Sequence, residues 1–596
     1  MRKVWLFLVI MLTGLNGCHQ KQDETMNGEP LPRALFITTG IDFDKPRADL
    51  PGSVRVAINS FNSRGIPLRM ETRDILYQPE KLKAYKFIIL STAAGIHDAD
   101  RPYSLSYMND SELNILRDFV KNGGILIAGD NVGRNDYEGN DRIVETGTLN
   151  PGNYPLSEVF GAVLSEKNFK GYDLISTGGQ EWFLSKNYDL WTVYPDSLLS
   201  NETKILAYWK KGNDSIPALL RNSYGKGAAW LLPVSDLINP VQTGGFVSVS
   251  QIDNLYREII DTETGKMPRI WPWPFAKEAA FAMTFNDMGK KKEYRRLLNQ
   301  FGNNPKKIEF FVHGKLNDTL RELLLNRHVN LSTTGENYLR FSTLDYADAT
   351  HEWLAPGLKW NYPFSGIRFP FTDPCFAALQ SADLNGFLYD SSISADEPAK
   401  STGVFFPYNI AYSGKDFYRA SNMLEIPPTF HDDYYFLNEY ITQHKFNPHT
   451  SKLIDIFEQY LLDYWFLNIK PVHGLMVYLG HPGITAYDEN TMRPLQTLID
   501  TLQKQNVWFA SPRQIVNYRN ALYQTSIRYI KNGNRGIIQC QHPNKIPEGL
   551  TVLLPFEADH IQAEQMKIEI RKTANATFIT VKSTGKTGKI AWETKE

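Results

Sequence analysis

Cysteine is scarce in this chain: 596 residues hold three, Cys18, Cys375 and Cys540. Three thiols so placed give neither a disulfide framework nor the paired spacing of a metal-binding motif. An excess of charge of one sign is missing as well. Sixty-four Lys and Arg against 65 Asp and Glu leave a net charge of −1, which favours neither nucleic acid nor an anionic membrane surface as a partner. No internal repeat or low-complexity tract stands out. Long apolar runs are lacking too: the N-terminal one, residues 4–15, is too short to span a bilayer comfortably.

What is present is ordinary globular composition, with 42% hydrophobic and 22% charged residues. The length suits about three to four domains. Aromatics are plentiful at 13%, including 12 Trp and 30 Tyr. Large cores account for such rings, and so does a sugar-binding cleft, where flat apolar faces stack on pyranose rings.

Arg2 and Lys3 precede the apolar run, which ends in "LNGC". This stretch resembles the lipobox of bacterial lipoproteins, and the polar "HQKQDET" after it is similar to the tether of surface lipoproteins. The resemblance implies a signal peptide at 1–18, lipidation at Cys18 and a tether at 19–32. It implies a cell-envelope lipoprotein of the outer membrane, facing periplasm or exterior, with the membrane reached only through the lipid anchor.

From 33 to 265 strand-like and helix-like patterns alternate. "ALFITT" (34–39), "KFIILS" (86–91) and "GILIAGDN" (124–131) are buried-strand runs. The stretch 109–124 reads as a helix capped by Asp110 or Ser111, with Leu113, Leu116 and Val120 on one face and Gly123 as the stop. This βαβ rhythm predicts a flavodoxin-like parallel sheet wrapped by helices. The order of these segments, with "SYGKGAAWLLP" (223–233) as a later strand, resembles class I glutamine-amidotransferase-like domains. Those that catalyse carry a Cys at a sharp turn after a strand; none lies in this region, so a structural or binding module is expected. "MPRIWPWPF" (267–275) marks a boundary, since its prolines forbid a regular helix. It reads as a buried strap or as a ligand-facing strip. Beyond 525 the short runs "GIIQCQ", "LTVLLP" and "TFITVKS" predict a small β-sandwich over 525–596.

Between 270 and 522 the order "AAFAMTFND" (279–287), "IEFFVHG" (308–314), "GIRFPF" (366–371), "LNGFLYDSSI" (384–393), "MVYLGHPG" (476–483) and "NVWFASPRQIVNYR" (506–519) resembles the polysaccharide deacetylase family, the NodB-homology or carbohydrate esterase family 4 enzymes. The resemblance implies an α/β fold with a distorted (β/α) barrel. It also implies a divalent metal, usually zinc, held by one Asp and two His, which activates a water. A neighbouring carboxylate would be the base and a late His the acid.

Carried over by position, Asp287 matches the metal-ligand Asp, while Asn286 stands where the base should be. An amide does not transfer protons near neutral pH. The family's His-x-x-x-His falls in residues 326–339. There the aligned pair is Ser332 with Glu336 or Thr333 with Asn337, and His328 and His351 lie off the spacing. Arg368 and Phe371 match Arg-x-Pro-Tyr/Phe. Asp390, in "YDSS", matches a groove-lining strand, His481 the catalytic acid, and Leu479 the pocket wall. "LEIPPTFHDDYYF" (424–436) resembles the groove rim, where His431, Asp432 and Asp433 could touch substrate. The site expected is therefore His481, Asp287, Arg368 and Asp390 for catalysis, and Asn286, Phe371, Glu336, Asp433 and Leu479 for substrate. The cofactor expected is none, or a zinc-type metal weakly held through Asp287.

Three readings follow. One is a deacetylase-like hydrolase of a poly- or oligosaccharide with an altered ligand set. The second is an inactive carbohydrate-binding pseudoenzyme. The third is a metal-independent glycoside hydrolase using carboxylates such as Asp287, Glu336 or Asp390. Oligomeric state is not legible.

Overall fold

The structure, a computed structural model, describes residues 28–38, 41–42, 50, 52–90, 105–129, 131–143, 154–179, 181–184, 191–233, 249–303, 307–313, 316–335, 353–370, 374, 376–395, 403–414, 417–429, 431–541, 548–582 and 588–594. Cys18, Glu336, Asn337, His351, Phe371 and Cys375 lie outside the described residues. The chain divides into two compact units. One joins Met1–Leu31, Lys266–Ile270 and Asn520–Glu596; the other joins Pro32–Gly265 and Trp271–Arg519.

The first unit carries two antiparallel sheets, of five and four strands. Arg535–Gln541 lies central in one and Leu550–Leu554 pairs with Ala576–Lys582 in the other. Leu550–Leu554 is buried throughout, whereas Arg535–Gln541 alternates, as a strand with one covered face does.

Among the described residues the second unit holds two large sheets and a two-stranded one, Ala162–Asn168 with Trp191–Leu198. In the N-terminal large sheet, Leu68–Thr72, Ala34–Thr38, Phe87–Leu90, Ile125–Gly129 and Gly227–Leu232 lie side by side and parallel. Numbered along the chain, these five stand in the order 2-1-3-4-5, and four antiparallel strands extend them. Ala34–Thr38, Phe87–Leu90 and Ile125–Gly129 are buried throughout, as strands covered on both faces must be.

Two local expectations change. The helix Asp110–Lys121 is capped by Asn109, one residue before Asp110 and two before Ser111, the caps expected. Its side chain accepts from Glu112 N at 2.8 Å while Glu112 Oε2 accepts from Asn109 N at 2.9 Å, a reciprocal capping box that Asp110 and Ser111 cannot form. "SYGKGAAWLLP" is a hairpin rather than one strand. Asp214–Tyr224 turns at Gly225, whose φ of 60° favours glycine, into Gly227–Leu232.

The second large sheet begins with Leu475–Gly480, Ala279–Asn286, Ile308–Val312, Asn330–Thr334, Gly366–Arg368 and Tyr389–Asp390, all parallel. Phe417–Glu425 and Tyr408–Gly414 follow, and the short Val507–Phe509 pairs with the start of Ala279–Asn286. The sheet curls into a half-barrel. Because all of these strands but Tyr408–Gly414 run the same way, their C-terminal ends lie along one edge, the edge where such sheets collect functional groups.

This sheet is tied to the N-terminal one. Ile41–Asp42 pairs with Tyr412 and Ser413. The Asn409 carboxamide accepts from Met70 N at 3.0 Å and donates to Met70 O at 2.7 Å, pairing the backbone of an edge strand that water would otherwise have to satisfy. In the boundary strap Trp273 is buried and its Nε1 donates to His473 O at 2.6 Å. Trp271 is buried as well, its Nε1 donating to Lys277 O at 2.6 Å, so both tryptophans of the strap pack inward.

No described helix is long and apolar enough to cross a membrane.

Candidate active site

The strand Ala279–Asn286 is buried from Ala279 to Phe285, and its exposure begins at Asn286. Asp287 follows, its N–H donating to Phe311 O at 3.1 Å and its Oδ2 accepting from His313 N at 2.6 Å. Burial pushes the Asp287 carboxyl up to about 6, against the pull of the His313 N–H and of His481. Across the edge, Leu475–Gly480 delivers His481. The loops after the two strands meet where Gly483 N donates to Met288 O at 2.6 Å. A Cβ on Gly483 would stand 2.9 Å from that oxygen, so the approach depends on glycine.

His481 is held from below by Asp433. Its Nδ1–H donates to Asp433 Oδ1 at 2.8 Å, its backbone N–H donates to Asp433 Oδ2 at 2.8 Å, and Thr485 Oγ1 donates to the same Oδ2 at 2.5 Å. A carboxylate only accepts, so the ring proton sits on Nδ1 and Nε2 is the free nitrogen. Asp433 is fully buried while 13% of the His481 side chain is exposed. Asp432 stands 3.9 Å from His481 Nδ1 and caps the helix Asp433–Gln443, accepting from Tyr435 N at 2.9 Å. Burial works against charge on His481, but Asp433 and then Asp432 outweigh it and hold the imidazole above its ordinary value. Burial and the repulsion of Asp433 raise the Asp432 carboxyl.

Arg368 sets the other wall without reaching solvent. Its Nε donates to Ser391 O and its Nη2 to Ser391 Oγ, each at 2.7 Å, and Nη2 also meets Thr284 Oγ1 at 3.0 Å. The guanidinium lies 4.0 Å above the Phe311 ring. Nη1 donates to Asn286 Oδ1 at 3.3 Å. That contact orients the amide, turning Asn286 Nδ2 towards His481 Nε2 at 3.5 Å. Asn286 thus links the arginine wall to the histidine.

Several expected roles change. Asp390 is fully buried, accepting from Ser392 Oγ at 2.6 Å, so it cannot touch a substrate. Burial and the neighbouring Asp390 raise the Glu425 carboxyl, which in turn accepts from Ser392 N at 3.1 Å and Ile393 N at 3.0 Å. This pair sits beneath Arg368 and offsets its charge. Asp433, expected on the groove rim, is the buried partner of His481. Leu479 is 2% exposed and belongs to the core of its strand rather than to an open pocket wall. Ser332 turns inward to Glu309 Oε1 at 2.5 Å and to Tyr389 OH at 2.9 Å, in a fully buried cluster. His328 precedes the strand Asn330–Thr334 and so lies at the edge of the sheet opposite Asn286. His431 stacks on Tyr435 at 4.2 Å.

No donor set for a zinc-type ion gathers on Asp287 among the described residues. Among the described residues, the one group of three acidic or imidazole ligands close enough to share an ion is Asp432, Asp433 and His481, and it excludes Asp287. Two oxygens and the Nδ1 in that group are already engaged in the hydrogen bonds that hold His481. The partner of His481 was missed in the sequence because Asp433 lies 48 residues from it. "HDDYYF" showed the acids but not which of them turns inward.

Residues 63–263, about a third of the chain, match the model of the β-galactosidase trimerisation domain. Among solved structures the chain is similar to Agd3, described as a novel carbohydrate deacetylase, at 10% identity over 96% of this chain and 99% of that one, with a TM-score of 0.35. It is similar to a candidate polysaccharide deacetylase from Mycobacterium smegmatis at 20% identity, over 42% of this chain and 93% of that one, with a TM-score of 0.32. It is also similar to a β-galactosidase from Rahnella sp. R3 at 17% identity, over 41% of this chain and 32% of that one, with a TM-score of 0.26. No curated protein matches. What the chain does rests on its own residues.

Proposed function

We propose that the chain is a deacetylase-like hydrolase of a poly- or oligosaccharide in which the Asp433–His481 pair moves the proton. The observation that carries this is a largely buried imidazole, 13% exposed, whose Nδ1 is locked by a fully buried carboxylate. Its Nε2 stands at the open edge of a parallel sheet beside Asn286 and Asp287. In acyl transfer, Nε2 takes a proton from an attacking water and returns it to the departing nitrogen or oxygen, while Asp433 stabilises the imidazolium between the two steps. The Asn286 amide is close enough to donate to an oxygen that gains charge there. No step is assigned to a metal. The segment 33–265 is a structural or binding module in this reading, and Cys18 anchors the chain to the cell envelope.

A second reading, a carbohydrate-binding chain without turnover, is favoured by the amide at Asn286 and by the absence of a zinc-type donor set on Asp287 among the described residues. Acetate release from acetylated chitooligosaccharides, xylan and peptidoglycan fragments, with and without added zinc, separates the two. The hydrolase reading expects release that falls about 100-fold or more in His481→Ala. Glycan binding with no released acetate or sugar in any arm leaves the binding reading.

A further inference from the structure

Outside the His481 site, the helices Lys291–Phe301 and Glu489–Gln503 flank a cavity of ≈ 930 Å³. Its lining includes Lys291, Lys292, Arg295, Arg296 and Arg493 against a single acid, Glu489. Five cations facing one carboxylate is a sharp local excess in a chain whose net charge is −1.

Three of the five already have partners. Arg493 pairs with Asp455 and Glu458, and Arg296 donates to the backbone oxygens of Ala486 and Tyr487. Lys292 meets Glu293 at 3.5 Å. Lys291 and Arg295 pair with no described carboxylate. They stand one helical turn apart on one face, a spacing at which like charges repel. A bound anion would relieve that repulsion, and the positive end of the helix dipole beside Lys291 adds to the attraction.

The rest of the lining narrows the class of ligand. Asn299, Gln300, Gln496 and Thr497 offer amide and hydroxyl groups suited to sugar hydroxyls, and among the described residues no aromatic ring lines the cavity on which a base could stack. The helix Lys291–Phe301 begins four residues after Asp287, while Glu489–Gln503 begins eight after His481 with the short helix Pro482–Thr485 between, so the N-terminal ends of both helices are the parts of the groove nearest the candidate site along the chain.

We propose that this groove is a second binding site that holds an anionic oligosaccharide, through carboxylate or phosphate groups, next to the His481 edge. The polymer class rests on the glycan reading above; the anion site itself does not.

The test is direct binding to the full chain of labelled oligogalacturonate, a phosphorylated oligosaccharide, neutral chitooligosaccharide, oligoglutamate and single-stranded DNA, each at low and high salt. The groove predicts salt-sensitive binding of the anionic sugars, weakened 10-fold or more in Lys291→Ala/Arg295→Ala. It predicts that Lys291→Arg/Arg295→Lys retains that binding, which separates loss of charge from loss of fold. Whichever anionic sugar binds more tightly identifies the anion. Binding of neither anionic sugar, binding indifferent to the double substitution, or equal binding of oligoglutamate or DNA overturns the inference. The readout needs no turnover, so a failure to release acetate leaves it legible.

Discussion

Asp433 Oδ1 lies 2.8 Å from His481 Nδ1, and the aspartate is fully buried while the histidine reaches the open edge of the sheet. The imidazole is therefore fixed in orientation and tautomer by a group that solvent and substrate do not touch.

Replacing that group tests the pair. In Asp433→Asn, one of the three donors now served by the carboxylate faces an amide N–H instead, and the loss is about 1–3 kcal/mol of stability. The His481 pKa falls, because its main stabilising charge is gone. A histidine raised in the folded state contributes stability that is fully present in acid and lost as pH rises through its folded pKa. The stability gap between wild type and variant accordingly narrows above that pH. Ring titration by NMR and denaturant melts across pH check both; an unchanged His481 titration would sink the assignment.

Asp287 makes the opposite kind of prediction. Burial raises its carboxyl from 3.8 to about 6, so the folded state favours the protonated form. Its contribution is present below the unfolded value and is lost as pH rises through about 6. Asp287→Asn removes the burden of a buried charge, and the variant gains roughly 1–3 kcal/mol over wild type at pH 8 but not at pH 4. Thermal melts at the two pH values read this, and an equal shift at both would contradict it.

Arg368 should not tolerate a conservative exchange. Lysine offers a single charged nitrogen where the guanidinium meets Ser391, Thr284 and Asn286 and lies flat on Phe311. Arg368→Lys is expected to cost about 3 kcal/mol or more, because a buried charge loses its geometry. Asn286 also loses the contact that aims its amide at His481. The variant's melting temperature, together with a shift in the His481 ring titration, separates this positioning role from a purely structural one.

How much was legible varies by element. The runs "FAMTF" and "MVYLG" announced strands buried on both faces, and they are. "FNDMGK" announced a polar strand end, and Asn286 and Asp287 do emerge there. The helix start at Asn109 was misplaced by one or two residues, since only the reciprocal bonds with Glu112 distinguish it from the polar residues beside it. Asp390 looked like a groove residue in "YDSS". Its burial is set by Ser392 and Glu425, and Glu425 arrives from a strand 35 residues later.

The amino-acid sequence by itself determined where apolar runs become strands and which polar residues close them, because burial preference is written residue by residue. Tertiary structure decided which of those polar groups meet. Asp433 rather than Asp432 turns beneath His481, Asp390 sinks under Arg368, and the Asn286 amide is aimed by a guanidinium 82 residues away. Such pairings depend on which strands lie side by side and which way each helix enters, and neither is local to the residues that form the site.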